Sequence, residues 1–219
     1  MYKHYFKRSL DFVLALIILL LTSPVIVILT FILSIANNGK PFFFQVRPGL
    51  NGRLFEIVKF RTMNDKKDEN GNLLRDSKRL TRVGGLIRKT SLDELPQLWN
   101  VLIGDMSLIG PRPLLPEYLP HYTAQHKRRH SVRPGITGLA QVNGRNTMKF
   151  SERFNQDVLY VENLSFKLDV KIIILTLKSV IFKSSTIVNG QTVDEVDDLG
   201  ISRNLDVNHF KNNVQDLDS

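Results

Sequence analysis

The segment Leu10-Asp-Phe-Val-Leu-Ala-Leu-Ile-Ile-Leu-Leu-Leu-Thr-Ser-Pro-Val-Ile-Val-Ile-Leu-Thr-Phe-Ile-Leu-Ser-Ile-Ala36 is almost entirely apolar. At about 1.5 Å per residue, a helix of this length is long enough to cross a bilayer core of roughly 30 Å. A simple transmembrane helix is therefore the first interpretation. A cleavable signal peptide is disfavoured, because the apolar run is too long and no small-x-small cleavage site follows it.

The middle of this segment contains a helix-breaking sequence, Thr22-Ser23-Pro24. Pro24 lacks a backbone donor and pushes Ser23 away from helical angles, so we expect two short helices. Positive charge marks the cytoplasmic side of a membrane segment, and both flanks carry it. The flanking cations are Lys3, Lys7 and Arg8 before the segment and Lys40, Arg47 and Arg53 after it. The sequence therefore predicts a re-entrant membrane hairpin over residues 1–36, broken at Ser23 and Pro24, that enters and leaves on the cytoplasmic face.

The charge of the 219-residue chain is unevenly distributed. The formal net charge is +9, but residues 186–219 carry two cations against seven carboxylates, which leaves +14 on the rest. We expect residues 37–185 to form a cytoplasmic globular domain and residues 186–219 to be an acidic, disordered tail. A body this basic indicates anionic partners: nucleic acid, phospholipid headgroups or a phosphorylated small substrate. The chain has no cysteine, so thiolate metal sites and disulfides are excluded.

The predicted fold class is α+β and mostly helical. Phe42–Val46 and Leu54–Thr62 have strand patterns joined by turn residues, which predicts a β-hairpin. The run from Leu95 to Leu102, with Leu98 and Trp99, predicts a short amphipathic helix with its apolar face in the core. The apolar stretch 171–183 has lysines near its edges and fits either an interfacial helix or a buried one. The soluble part is thus a small globular domain with a β-hairpin and interfacial amphipathic helices.

Asp93 and Glu94 stand side by side in this basic chain, close after Arg88. Carboxylates repel phosphates, so such a pair suits phosphate chemistry if it binds a divalent cation or acts as a nucleophile. A structural alternative remains open, because Ser91 and Glu94 also match the S-x-x-E capping box that begins a helix. Pro96 weakens this alternative, because it would fall where its missing N–H costs a hydrogen bond.

Three further segments carry cations in distinctive settings. Arg112 lies between two prolines, which stiffens the backbone for bidentate anion binding, although a rigid turn with an incidental arginine fits equally well. Segment 133–146 combines three glycines with an arginine near each end, a weak indication of phosphate binding. The cluster His126-Lys-Arg-Arg-His130 fits either contact with anionic membrane lipids or a solvated helix end.

Four motifs together resemble the monotopic bacterial sugar transferases, which are polyprenyl-phosphate phosphoglycosyl transferases. They are Lys59-Phe-Arg-Thr-Met63, Ser91-Leu-Asp-Glu-Leu-Pro-Gln-Leu-Trp-Asn100, Gly104-Asp-Met-Ser-Leu-Ile-Gly-Pro-Arg-Pro113 and Arg133-Pro-Gly-Ile-Thr-Gly-Leu-Ala-Gln-Val-Asn-Gly-Arg-Asn146. The resemblance extends from the amino terminus to about Lys183. In length and layout the chain is most similar to the minimal members that transfer phospho-N,N'-diacetylbacillosamine.

The resemblance implies transfer of a phospho-sugar from a UDP-sugar to undecaprenyl phosphate at the bacterial inner membrane, with release of UMP. It implies that Asp93 is the nucleophile that forms a covalent aspartyl intermediate, and that Glu94 acts as a base or metal partner. Mg²⁺ would be held by both carboxylates. The residues that would bind substrate and phosphate are Lys59, Arg88, Arg112, Gln141 and Arg145.

Two other classes of function fit the sequence less well. A membrane-tethered nucleic-acid module would need aromatic stacking platforms or a reading helix, and neither is recognisable, so we expect no nucleic-acid partner. A purely structural membrane protein would leave the carboxylates and the phosphate-type cations unexplained. The sequence leaves open the sugar, the pathway and the oligomeric state, a homodimer included.

Overall fold

A computed structural model of the chain describes residues 2–74, 76–144, 148–182 and 196–201. The described helices are α1 Lys7–Ala36, α2 Asp76–Arg79, α3 Arg82–Lys89, α4 Gln97–Ile103, α5 Ala124–Lys127, α6 Leu139–Asn143, α7 Phe150–Glu162 and α8 Phe166–Phe182. Short 3₁₀ helices cover Leu50–Gly52, Leu92–Glu94, Pro116–His121 and Arg128–Ser131, and a π-helix covers Tyr2–Phe6. The strands are β1 Phe42–Pro48, β2 Leu54–Phe60, β3 Ser107–Ile109 and β4 Gly135–Thr137.

The predicted division of the membrane segment into two helices at Ser23 and Pro24 differs from the structure. A single helix, α1, continues through Pro24. Proline leaves the carbonyl four residues earlier, that of Leu20, without its backbone donor. The hydroxyl of Ser23 donates to this carbonyl at 2.8 Å, so the proline is accommodated without ending the helix.

One face of α1 packs on the rest of the protein, and both of its ends are held there. In the amino-terminal half Ala15 is buried with Leu98 and Val101 of α4, and in the carboxy-terminal half Leu33 is buried with Phe60 of β2. Polar contacts secure each end. Arg8 donates to the carbonyl of Leu102 at 2.8 Å, Asp11 accepts from Ser107 at 2.7 Å, and Asn37 donates to the carbonyl of Arg61 at 3.0 Å.

The predicted β-hairpin is confirmed. β1 and β2 pair antiparallel from Phe42 opposite Phe60 to Pro48 opposite Leu54. The buried side chain of Asn100 in α4 then binds the backbone of β2, accepting from Val58 at 3.1 Å and donating to Glu56 at 2.7 Å. This contact holds the segment that precedes α4 against the hairpin.

β3 and β4 form a separate two-stranded parallel sheet. Two glycines permit the close approach that follows β3, because a Cβ on Gly135 would lie 2.0 Å from the backbone nitrogen of Gly110. The backbone nitrogen of Gly135 also donates to Pro111 at 3.0 Å. The sheet therefore fixes the backbone that leads directly into Arg112.

The structure bears on three further expectations: the burial of Trp99, the burial of α8 and the state of the acidic tail. Trp99, predicted in the core, is 57% exposed because the buried face of α4 is formed by Leu98 and Val101. α8 is partly buried, since Ile172 is fully buried whereas Leu177 is exposed. Most of the predicted acidic tail lies outside the described residues. In its described part, residues 196–201, Val196 and Ile201 pack in a cluster with Tyr118, Tyr122, Phe150 and Phe154.

His130 connects the hairpin turn to the body, and its environment makes stability depend on pH. Its Nδ1 lies 3.3 Å from the carbonyl oxygen of Gly49. Burial and the nearby Arg129 cation lower the pKa of His130 to about 4. The unfolded chain takes up this proton near pH 6.5, so the contribution of His130 is complete above that pH and is lost as pH falls toward 4.

We therefore expect His130→Asn to remove up to about 3 kcal/mol of the loss in unfolding free energy between pH 7 and pH 4. Denaturant unfolding of the detergent-solubilised protein at both pH values measures this difference. His121→Asn, which changes an exposed histidine, is the matched control. An equal pH dependence in the wild type and in His130→Asn would contradict the assignment.

Candidate active site

Asp93 and Glu94 lie in the 3₁₀ turn between α3 and α4. The capping box does not form, because Ser91 has a left-handed backbone (φ 57°) and its side chain makes no capping hydrogen bond. Pro96 stands at the residue before α4, where a missing N–H costs no helical hydrogen bond. The turn therefore presents the two carboxylates just before a helix amino terminus.

Glu94 is bound by two cations from separate elements. Its Oε1 accepts from Lys59 of β2 at 2.7 Å and from Arg112, which follows β3, at 2.6 Å. The Glu94 side chain is 18% exposed and that of Arg112 is 40% exposed. Burial alone would raise the pKa of Glu94, but the charges and hydrogen bonds of Arg112 and Lys59 outweigh it and lower this pKa to about 2. Glu94 is consequently ionised and a weak base.

Asp93 has the opposite environment. Within the described part of the chain its carboxylate has no hydrogen-bond donor. Burial and the adjacent Glu94 raise its pKa, while Lys59 and then Arg88 oppose this shift. Arg88 is exposed at the end of α3. A partly buried carboxylate without donors keeps its lone pairs available, which is the property required of a nucleophile or a metal ligand.

A fully buried ion pair supports the backbone of Arg112. Arg129 donates to the Arg112 carbonyl at 2.7 Å and to Asp157 of α7 at 2.6 Å, and it also donates to the hydroxyl of Tyr122. Arg129 belongs to the basic cluster 126–130 that could have contacted lipid headgroups. Its burial excludes that use for Arg129, because its charge is already neutralised by Asp157.

The structure brings together some of the predicted site residues. Lys59, Glu94 and Arg112 are in direct contact, and the charges of Asp93 and Arg88 influence each other. Both amide atoms of Gln141 are buried and have no partner among the described residues. Arg145 lies outside the described residues.

Sequence reasoning missed two arginines that act on this region, Arg47 and Arg129. Arg47 lies in β1 and its pKa is influenced by Arg112. Its position in a strand, on the same face as Lys59, was the available signal. The role of Arg129 could not be read from the sequence, since Asp157 is 28 residues away.

The donor set limits what metal the site can hold. Across residues 2–74, 76–144, 148–182 and 196–201, no group of three or more His, Asp or Glu side chains could hold a metal ion. Asp93 and the second oxygen of Glu94 are the carboxylate oxygens that Lys59 and Arg112 leave available. Mg²⁺ commonly binds one or two protein carboxylates and completes its shell with water and substrate phosphates. These residues would therefore fit a Mg²⁺ that takes its remaining ligands from water and substrate, rather than a site built from protein ligands alone.

Comparisons with known proteins identify the family of the chain. The family model for bacterial sugar transferases matches residues 2–183. The uncharacterized sugar transferase EpsL of Bacillus subtilis is 55% identical over 175 residues, covering 80% of this chain and 87% of the relative. The exopolysaccharide production protein ExoY of Rhizobium meliloti is 37% identical over 191 residues, covering 80% of this chain and 84% of the relative.

A UDP-glucose:undecaprenyl-phosphate glucose-1-phosphate transferase of Klebsiella pneumoniae is 40% identical over 191 residues, which cover 82% of this chain. The match covers 41% of that longer relative. The family match spans the hairpin, the Asp93-Glu94 turn and the Arg112 segment, which together build the cluster described above. The chain belongs to the bacterial sugar transferase family.

Proposed function

We propose that this protein transfers a sugar phosphate from a UDP-sugar to undecaprenyl phosphate and releases UMP, as the first membrane step of bacterial glycoconjugate synthesis. The observation that carries the proposal is the unequal carboxylate pair: Glu94 binds two cations, whereas Asp93 binds none directly among the residues that the structure describes. The names of the relatives from Klebsiella pneumoniae and Caulobacter vibrioides, both UDP-glucose:undecaprenyl-phosphate glucose-1-phosphate transferases, support the substrates. UDP-glucose is therefore the first donor to test, and the name of a relative from Erwinia amylovora, a UDP-galactose-lipid carrier transferase, adds UDP-galactose.

In the first step, a carboxylate oxygen of Asp93 attacks the sugar-bearing phosphorus of the donor. A new oxygen–phosphorus bond forms, the bond to the nucleotide phosphate breaks, and UMP leaves with the electron pair. Lys59 and Arg112 lie beside the carboxylates, where they can stabilise charge on the phosphoryl oxygens. This covalent step divides a displacement between two large anions into two separate displacements.

In the second step, a phosphate oxygen of undecaprenyl phosphate attacks the same phosphorus. The bond to Asp93 breaks, which restores the carboxylate and gives the undecaprenyl-diphospho-sugar. The sequence suggested Glu94 as a base here, but the low pKa of Glu94 makes it a poor proton acceptor at neutral pH. We assign to Glu94 the role of holding Lys59 and Arg112 in position. Mg²⁺ held by Asp93 and Glu94 would neutralise diphosphate charge when bound.

The membrane arrangement belongs to the same proposal. α1 is long and apolar enough to cross a membrane. Only 6% of its most apolar 18-residue stretch is buried within the protein. Its exposed side chains, such as Leu21 at 75%, need an apolar environment. Arg8 and Asn37 hydrogen-bond the two ends of α1 to the rest of the protein. We infer a monotopic protein on the cytoplasmic face, with α1 immersed in one leaflet.

Exposed apolar side chains outside α1 support the same orientation. α4 exposes Trp99 and Ile103, and α8 exposes Ile174 and Leu177. Tryptophan is enriched where membrane meets water, and amphipathic helices bind there through an apolar face. α4 also packs directly on the amino-terminal half of α1. We propose that α4 and α8 are interfacial helices, which places the carboxylate turn before α4 at headgroup level.

We expect Asp93→Asn to lower UMP release from UDP-glucose or UDP-galactose with undecaprenyl phosphate by at least about 1,000-fold, because the nucleophile is lost. Without acceptor, wild-type protein should gain the mass of one sugar phosphate per chain. Asp105→Asn makes the same chemical change outside the cluster and should retain activity. A mass adduct that persists in Asp93→Asn would contradict the assignment and indicate another nucleophile.

Removal of divalent cations tests the metal assignment. We expect EDTA to reduce UMP release to background and added Mg²⁺ to restore it, because the two carboxylates can approach a diphosphate only when its charge is neutralised. Unfolding of the metal-free protein serves as the control and should be unchanged, since the described residues offer no closed metal site. Full activity in excess EDTA would exclude the metal role.

Cysteine labelling tests the membrane arrangement, and the chain has no native cysteine. Lys3→Cys places a thiol before the amino-terminal end of α1, and Lys40→Cys places one after its carboxy-terminal end. Both thiols should react only when the reagent reaches the cytoplasmic face. Leu21→Cys should stay unreactive in intact membranes. Labelling of the first two positions from opposite faces would establish a spanning helix.

A further inference from the structure

Arg47 is a cation for which the surrounding protein supplies little compensation. Its Nη2 donates to the side-chain oxygen of Gln45 at 2.5 Å. Its Nε is buried and has no hydrogen-bond partner within the described part of the chain. No carboxylate among those residues lies within ion-pair distance of it, although the charge of Glu117 acts on it more weakly. A guanidinium in this state has donors available for an anion.

The nearby cation Arg112 makes the partly buried charge of Arg47 still less favourable. Burial, and next the charge of Arg112, lower the pKa of Arg47 to about 10. Two guanidinium groups that repel each other in a partly buried setting destabilise the fold unless an anion lies between them. Groups of this kind are concentrated at functional sites.

The register of the hairpin relates Arg47 to the carboxylate site. Arg47 pairs with Phe55, and Lys59 pairs with Phe43. Paired residues share a face and alternate residues of a strand repeat that face, so Arg47 and Lys59 lie on the same face, about 13 Å apart. Arg112 influences the pKa of both. Arg112 reaches both ends of the hairpin, because it contacts Glu94 beside Lys59 and lines the same cavity as Pro48, the residue after Arg47.

The charged groups around Lys59 differ from those around Arg47. Glu94 binds Lys59 and Arg112, and the charge of Asp93 also acts on both. The charges that act on Arg47 belong to Arg112, Glu117 and two tyrosines instead. Lys59 thus stands at the end of the hairpin beside the nucleophile, and Arg47 stands at the end away from it.

α1 shares apolar clusters with both ends of the hairpin. Phe60, next to Lys59, packs with Leu33, and Phe55, opposite Arg47, packs in the cluster that contains Ala15. What distinguishes the Arg47 end is the hairpin turn, where the carbonyl of Gly49 lies against His130 of the body.

We propose that Arg47 binds the nucleotide phosphate of the UDP-sugar and stabilises the charge that develops on UMP as it leaves. This inference rests on the proposed function and extends it to a residue on β1. In the donor, this phosphate is bonded through one oxygen to the phosphorus that Asp93 attacks. A cation beyond Arg112, on the side away from the carboxylates, is where that phosphate requires one.

Binding of UMP tests the assignment without any turnover. We expect Arg47→Gln to weaken UMP binding about 10- to 100-fold, as loss of a charge-assisted contact implies. Arg53→Gln removes an exposed arginine from the same hairpin and should bind UMP like the wild type. Isothermal titration of protein in nanodiscs measures both. Steady-state kinetics should show an unchanged KM for undecaprenyl phosphate in Arg47→Gln.

Two kinetic outcomes would overturn the assignment. A raised KM for undecaprenyl phosphate with normal UMP affinity would place Arg47 at the acceptor phosphate. Normal values for both, equal to those of Arg53→Gln, would remove Arg47 from phosphate binding altogether. Failure of the proposed function is distinguishable, because wild-type protein that binds UMP through Arg47 but releases none from any UDP-sugar would contradict only the transfer reaction.

The melting temperature distinguishes a phosphate-binding role for Arg47 from a purely structural role. Arg47→Met removes an unpaired charge and keeps the aliphatic part of the side chain, so we expect an unchanged or higher melting temperature together with weaker UMP binding. A clearly lower melting temperature than that of Arg53→Gln would show that Arg47 is retained for the fold, and would overturn the proposal.

Discussion

The contact on which the site depends is the carboxylate of Glu94 shared between Lys59 and Arg112. It joins the hairpin, the turn before α4 and the segment after β3, which are distant in sequence. Without Glu94 the charges of Lys59 and Arg112 would repel each other, which would destabilise the contact between their elements. Support comes from both sides, because Asn100 holds α4 to the hairpin and Arg129 holds the backbone of Arg112.

The membrane helix is connected to this cluster through β3. Asp11 of α1 accepts from the hydroxyl of Ser107 and from the backbone of Leu108, and a few residues later the chain reaches Arg112. Lys7 neutralises Asp169 of α8 at 2.8 Å, so the same helix end is also fixed to the helix that packs beside β3. These contacts are buried and charged, and breaking one partner of such a pair is costly. In the proposed membrane arrangement, the depth of α1 in the bilayer would therefore determine the depth of Arg112.

Part of this organisation could be predicted from the sequence. Alternating residues and a glycine-containing turn indicated the hairpin. Asp93 and Glu94 were singled out by the four motifs that resemble the bacterial sugar transferases, because their adjacency alone also fitted a helix cap. Continuity of α1 through Pro24 could not be predicted, because it depends on a hydroxyl bond from Ser23 that periodicity does not reveal. Exposure of Trp99 was missed for another reason. An apolar residue at helical spacing fits lipid as well as core, and only packing distinguishes the two.

The adjacent carboxylates Asp93 and Glu94 differ in chemistry because Lys59 and Arg112 contact Glu94. Lys59 and Arg112 both reach Glu94, so its negative charge is neutralised and its pKa falls, while Asp93 is left with the repulsion of its neighbour and a raised pKa. In the proposed reaction, bonding of Asp93 to phosphorus removes a localised charge from beside Glu94 and spreads it over phosphoryl oxygens. The cations that hold Glu94 are then already placed where that charge moves. The arrangement thus favours the transition state over the free enzyme, as catalysis requires.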